Sequence, residues 1–177
     1  PARNLEFFKG KKVRSLPLYT PLLKALGAAT VTIAPAEVYP ALERGVVDGV
    51  AWPEMGIEER KFHEVAKYLL FPTYYEVRGA MLMNRASFEK LSPQLQKILM
   101  EAMLEVEEWG ARTWREEVAR EQERLRKHGM EFVHLPEPEA SRFLKIARDA
   151  IWEQVMKDSP KYGPRLREVF TKAAQMG

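Results

Sequence analysis

Over the first 70 residues, short apolar or β-branched runs alternate with stretches whose apolar residues recur every three or four positions. Lys12 to Ser15 opens as a strand after Gly10. Leu22, Leu23 and Leu26 then predict a one-sided helix that stops at Gly27, with Pro17 and Pro21 flanking Tyr19 ahead of it. Thr30 to Ile33 is short and β-branched, as a buried parallel strand is. A second helix is predicted over Ala36 to Arg44, with Val38, Ala41 and Leu42 inward and Gly45 as its stop. Val46, Val47, Val50 and Trp52 form another strand-like passage closed by Pro53, and Glu58 to Leu69 reads as a third helix. This rhythm predicts an α/β layer with a parallel-rich sheet. Ligands in such layers sit at the carboxyl ends of the strands, which here means the loops Ser15 to Tyr19, Ala34 to Glu37 and Ala51 to Met55.

The second half reads differently. Phe71 to Met83 is expected to be extended. Ser92-Pro93 starts a helix in the usual way, with Ser as cap and Pro in the first turn. From Leu95 to Trp114 the apolar residues follow one stripe, and no Pro interrupts the pattern before His128-Gly129. The helix would run about 36 residues, or roughly 54 Å. Its second half, Glu116 to Lys127, keeps only Val118 and Leu125 as large apolar side chains and is expected to be the more exposed. Gly110 marks a candidate bend. Glu131 to Leu135 predicts one more strand, Glu139 to Lys157 a helix with Phe143, Ile146, Ala147, Ile151 and Val155 inward, and Leu166 to Ala174 a terminal helix. A helix that long outruns a lobe of this size, since a 100-residue domain has a radius near 13 Å. Something further is expected to lie along it.

Composition narrows the field. The 177 residues include 28 Lys+Arg, 25 Asp+Glu and no Cys, so disulfides, thiolate nucleophiles and Cys-based zinc sites are excluded. A formal charge of +3, with acids interleaved among the bases, falls short of a nucleic-acid signature. No apolar run approaches the roughly 20 residues of a membrane span. Neither an initiator Met nor a signal peptide stands at the N-terminus.

Catalytic signals are weak. His63, His128 and His134 lack metal-ligand spacing, no phosphate-binding glycine loop occurs, and Ser15 and Ser92 have no His partner nearby in sequence. The expectation is a protein that is not an enzyme and carries neither cofactor nor metal. Binding signals are better. Arg14 ends the first strand, where a guanidinium can grip a carboxylate through two parallel hydrogen bonds. Trp52 ends the third strand, and Tyr74 lies near the crossover; for both, core packing is the competing explanation.

Four segments add a resemblance. Lys9-Gly-Lys-Lys-Val-Arg14, Leu23-Lys-Ala-Leu-Gly-Ala28, the block from Ala36 to Gly49, and Lys61 to Tyr68 occur in one order at close spacing. Together they resemble the extracytoplasmic solute-binding subunits of tripartite ATP-independent periplasmic (TRAP) transporters, the DctP-like family. Met83-Asn84, Leu91-Ser-Pro93 and the long charged helix fit as well. The resemblance implies a periplasmic-binding-protein-like α/β lobe with a long spanning helix and C-terminal helices. Residues 1–83 would form the ligand-binding lobe with its crossover, and 84–177 the spanning helix, a short strand and the terminal helices. It also implies that this is the C-terminal part of a two-lobed protein, with the N-terminal lobe absent.

Residue by residue, Arg14 matches the family arginine that pairs with the ligand carboxylate, Trp52 a cleft position before a proline, and Tyr74 a position near the hinge. Pro35 stands where several members have a cleft Phe. Ala51 stands where many carry Glu, which argues against a cation beside the ligand. The implied function is capture of a small organic acid outside the cytoplasmic membrane and its delivery to membrane permease subunits, with no nucleic acid and no membrane insertion. The alternative is a structural or signalling α/β domain that dimerises through its long helix. A small hydrolase is a weaker alternative, for want of a nucleophile and base. Alone, the chain is expected to self-associate through apolar surface around Val106, Trp109 and Trp114.

Overall fold

The computed structural model describes residues 2–75 and 80–176, with side chains of the last helix described as far as 173. A three-stranded parallel sheet has β1 (Lys12–Arg14) in the centre, between β2 (Ala29–Val31) and β3 (Gly49–Val50). Val13 pairs with Thr30 on one side and Gly49 on the other; Arg14 pairs with Val31 and Val50. A central parallel strand is covered on both faces. Val13 and Arg14, which point to opposite faces, are accordingly both buried.

Helix α1 (Thr20–Ala25) follows β1, and α2 (Val38–Glu43) follows β2. Gly27, at φ 81°, ends the first helix, and the amide of Ala28 then donates to the carbonyl of Leu23 at 2.9 Å. That left-handed turn needs a residue without a Cβ. The expected third helix is much shorter than its apolar pattern: α3 spans only Phe62–Val65. The residues beyond it form β4 (Tyr68–Phe71), parallel to β5 (Glu131–His134) in a separate two-stranded sheet. The spacing of Phe62, Val65, Ala66 and Leu69 suits a helix, but pairing with β5 takes Leu69 into a strand, a tertiary override that local periodicity does not carry. Within the expected extended segment 71–83, residues 76–79 lie outside the described residues. Helix α4 (Arg85–Glu89), capped by the Asn84 side chain, was not expected.

The long helix α5 (Pro93–Lys127) is continuous through Gly110, with Ser92 accepting from the Leu95 amide. At 35 residues it is about 52 Å long. Helices α6 (Glu139–Asp158) and α7 (Gly163–Met176) complete the chain.

Two apolar clusters hold these elements. In one, Phe8, Val13, Leu22, Leu23 and Leu26 meet Leu135, Phe143 and Ala147, so α6 closes over α1 and one face of the sheet. In the other, Val38, Ile57 and Phe62 meet Leu125 and Met130. The expected distribution of exposure along α5 is therefore reversed. The charged second half carries the buried residues Glu121 and Leu125, one helical turn apart, while Leu95, Ile98, Leu104, Val106, Trp109 and Trp114 of the first half are all more than half exposed. Counting large apolar side chains failed because one Leu and one buried carboxylate suffice to dock the second half. Leu125→Ala should then cost about 2–5 kcal/mol as a buried cavity. Val106→Ala should stay within about 0.5 kcal/mol. Urea unfolding of both variants checks the assignment.

Candidate functional site

The carboxyl end of β1 delivers Arg14 into a pocket of backbone carbonyls and aromatic rings. Its Nε donates to the Ile33 carbonyl at 3.1 Å, and its Nη1 to the Ala51 carbonyl at 3.4 Å. Those carbonyls come from the loops that follow β2 and β3, so all three strands converge on one guanidinium. Nη2 is buried and has no hydrogen-bond partner. Arg14 as a whole is 0% exposed. Burial lowers its pKa from the ordinary arginine value; Tyr19 opposes the shift and the nearby Arg60 adds to it. An arginine stays charged even so. The site thus holds an enclosed cation with one arm of its fork unengaged.

Trp52 is half-buried and lies over that cation, its ring 4.9 Å from the guanidinium carbon of Arg14 and 5.0 Å from that of Arg60. It also packs edge-on against Phe62, with centroids 5.0 Å apart. A Trp ring within 5.0 Å of each of two guanidinium groups is in favourable cation–π range. Trp52 therefore packs against the second apolar cluster and covers Arg14 at once.

Tyr74 stands farther off. Its ring meets Tyr19 and Tyr75 at 6.3 and 6.5 Å and Phe143 at 5.5 Å, all edge-on. Burial raises its pKa above the ordinary tyrosine value, so its hydroxyl stays protonated. The link between Tyr74 and Arg14 is Tyr19, which is buried, with its own pKa raised by burial and influenced by Arg14. The sequence places Tyr19 at the end of the candidate ligand loop Ser15 to Tyr19 but does not single it out, because a tyrosine between two prolines carries no mark of its neighbours in the fold. Pro35 is exposed at the start of a short 3₁₀ turn, and Ala51 contributes its carbonyl. Among the described residues, no group of three or more His, Asp or Glu is arranged to hold a metal ion.

The loop carrying Trp52 is itself anchored by α5. The Trp52 indole donates to the Met55 carbonyl at 3.2 Å. The Glu121 carboxylate accepts from the amides of Gly56, Ile57 and Glu58 at 2.9, 2.7 and 3.0 Å. Gln122 reaches Glu54, and Glu58 takes both Arg124 and the His128 Nε2, the latter at 3.1 Å. Sequence reading missed Glu121, since one acid in a charged helical run carries no mark of burial.

Strand-end loops around a buried charge, on a parallel layer braced by one long helix, define a binding-protein lobe. Residues 1–158 match the family model of the bacterial extracellular solute-binding proteins, family 7 (DctP), and the chain belongs to that family. It is similar to the ectoine-binding periplasmic protein TeaA of Halomonas elongata, 33% identical over 104 residues, 58% of this chain and 30% of that one. It is also similar to the 2,3-diketo-L-gulonate-binding periplasmic protein YiaO of Escherichia coli, 24% identical over 171 residues, 96% of this chain and 52% of that one. Among solved structures, the TRAP periplasmic solute-binding protein of Desulfovibrio salexigens with bound orotic acid shares the fold. Its TM-score is 0.81 at 24% identity, over 97% of this chain and 56% of that one. The chain spans about a third to under a half of the length of the first curated relatives it matches. No helix among the described residues is long and apolar enough to cross a membrane.

The Glu58 cluster sets an expected pH dependence. Its hydrogen bond from Arg124, and after it that from His128, hold the carboxyl below its ordinary value of 4.5. The unfolded chain then takes up this proton first as pH falls. Stabilisation by the cluster should be complete above pH 4.5 and fade as pH drops through that value toward the lower folded one. Melting temperatures of the wild type and Glu58→Gln should differ near neutrality and converge in acid.

Proposed function

We propose that this chain captures a small organic carboxylate for a TRAP-type uptake system and passes it, chemically unchanged, to membrane permease subunits, working outside the cytoplasmic membrane. The observation that carries the reading is Arg14, a buried guanidinium whose Nη2 lacks a partner. Buried polar groups of folded proteins are almost always paired, and an enclosed charge most of all. A carboxylate is the complement in charge and in bidentate geometry. The compounds named for YiaO and for the Desulfovibrio protein, diketogulonate and orotic acid, carry such a group. Because the guanidinium is enclosed, Trp52 or the side chains beside it must shift to admit the acid. Residues 1–83 supply the ligand-facing loops in this reading, and 84–177 the helices that brace them, with Tyr74 behind Tyr19 at the edge of the site.

A second reading has one observation behind it. The apolar first half of α5 is exposed, and a structural or signalling domain that dimerises through this helix would look the same there. Arg14 separates the two. Calorimetry with orotate, malonate and diketogulonate should identify a binder, and Arg14→Lys, which keeps the charge but loses the fork, should weaken it by about 1.5–3 kcal/mol. Unchanged affinity, together with a concentration-dependent dimer in light scattering that Trp109→Glu abolishes, would favour the second reading. Trp52→Phe should alter the ranking of those acids while the melting temperature stays close to that of the wild type. A large fall in melting temperature with the ranking intact would make Trp52 a packing residue only.

A further inference from the structure

Glu121 belongs to none of the strand-end loops, yet the residue is only 5% exposed and its carboxylate accepts from three successive backbone amides. Successive N–H groups that converge around a left-handed residue form a concave anion site, and Gly56, at φ 83°, is that residue. Here the anion is supplied by the protein's own long helix. The turn so gripped begins at Trp52, whose indole is tied to the Met55 carbonyl. An added Cβ on Gly56 would lie 3.7 Å from the indole nitrogen. Trp52 in turn covers the Arg14 guanidinium, and the Ala51 carbonyl beside it accepts from the same group.

We infer that Glu121 is a positioning residue: from α5 it fixes the 52–58 loop, and through that loop the placement of Trp52 over Arg14. The inference rests on the reading of Arg14 and Trp52 as the binding face, and adds to it a residue far along the chain from both, whose carboxylate hydrogen-bonds to neither. A carboxylate is required because three donors face one group. Glutamine has almost the same volume, but its amide nitrogen would meet amides with a donor, leaving at least one buried N–H unpaired.

The test uses hydrogen exchange by NMR on the unliganded protein, comparing wild type, Glu121→Gln and Glu121→Asp. In Glu121→Gln the amides of Gly56, Ile57 and Glu58 should exchange about tenfold faster or more. The Trp52 indole N–H and the Arg14 Nε–H should accelerate with them, while amides of α6 around Phe143 stay as in the wild type. Glu121→Asp, which keeps the charge, should recover part of the protection. If only the three turn amides respond and the Trp52 and Arg14 signals do not move, Glu121 is a local cap and the inference is overturned. Equal behaviour of Glu121→Gln and wild type would overturn it as well, since volume alone would then suffice. Should Glu121→Gln fail to fold, Glu121→Asp carries the test: its shorter side chain must accelerate the turn amides, the Trp52 indole N–H and the Arg14 Nε–H together relative to the wild type. Titration with orotate separates this inference from the one beneath it. Coupled exchange in a wild type that binds no acid would refute the binding face and leave Glu121 as the anchor of the loop. Normal binding in wild type and Glu121→Gln alike would refute the positioning and leave Arg14 intact.

Discussion

A full positive charge sits enclosed at the carboxyl end of the central strand, and the surrounding loops are shaped by the cost of keeping it there. Removing a guanidinium from water is expensive unless its hydrogen-bonding groups and its field are both answered. The carbonyls of Ile33 and Ala51 answer two N–H groups, and the face of Trp52 answers part of the field. For these to meet at one point, β2 and β3 must flank β1 in the observed register, with Arg14 opposite both Val31 and Val50. The parallel order of the sheet and the pairing of Arg14 are thus one constraint seen twice.

Much of this was visible in the amino-acid sequence, for reasons that differ by element. Pro and Gly punctuation marked α1, α2 and the ends of α5 because those residues act through local backbone geometry. The inward residues Phe143 and Ala147 of α6 were legible because a long amphipathic helix repeats its signal. Glu58 to Leu69 misled because its helical spacing is overruled by pairing between Leu69 and Phe132, residues far apart in the chain. Glu121 was illegible for a related reason. Whether an acid in a run such as Glu116 to Lys127 is buried depends on the amides brought to it by a distant turn.

Helix α5 joins two kinds of surface chemistry that respond differently to change. Where it meets the 52–58 loop, the contacts are directional: a carboxylate on three amides, beside the fully buried Leu125. Such contacts tolerate little displacement, because each group lost leaves a buried partner unsatisfied. Toward its N-terminus the helix presents non-directional apolar side chains, and an open groove of about 560 Å³ runs there between α4, α5 and the preceding segment.

Methionines give that groove its character, with Met81, Met83, Met100 and Met103 among the side chains that line it. An unbranched thioether repacks at little energetic cost, so a surface made of them conforms to differently shaped neighbours where a wall of Leu and Val would select one. The same sulfurs are open to oxidants. Conversion to sulfoxides would turn an apolar strip into a polar, chiral one, at the end of the helix remote from Leu125 and Glu121. The exposed apolar strip and the directional contacts thus sit at opposite ends of one helix, and oxidation of the methionines would change the first while sparing the second.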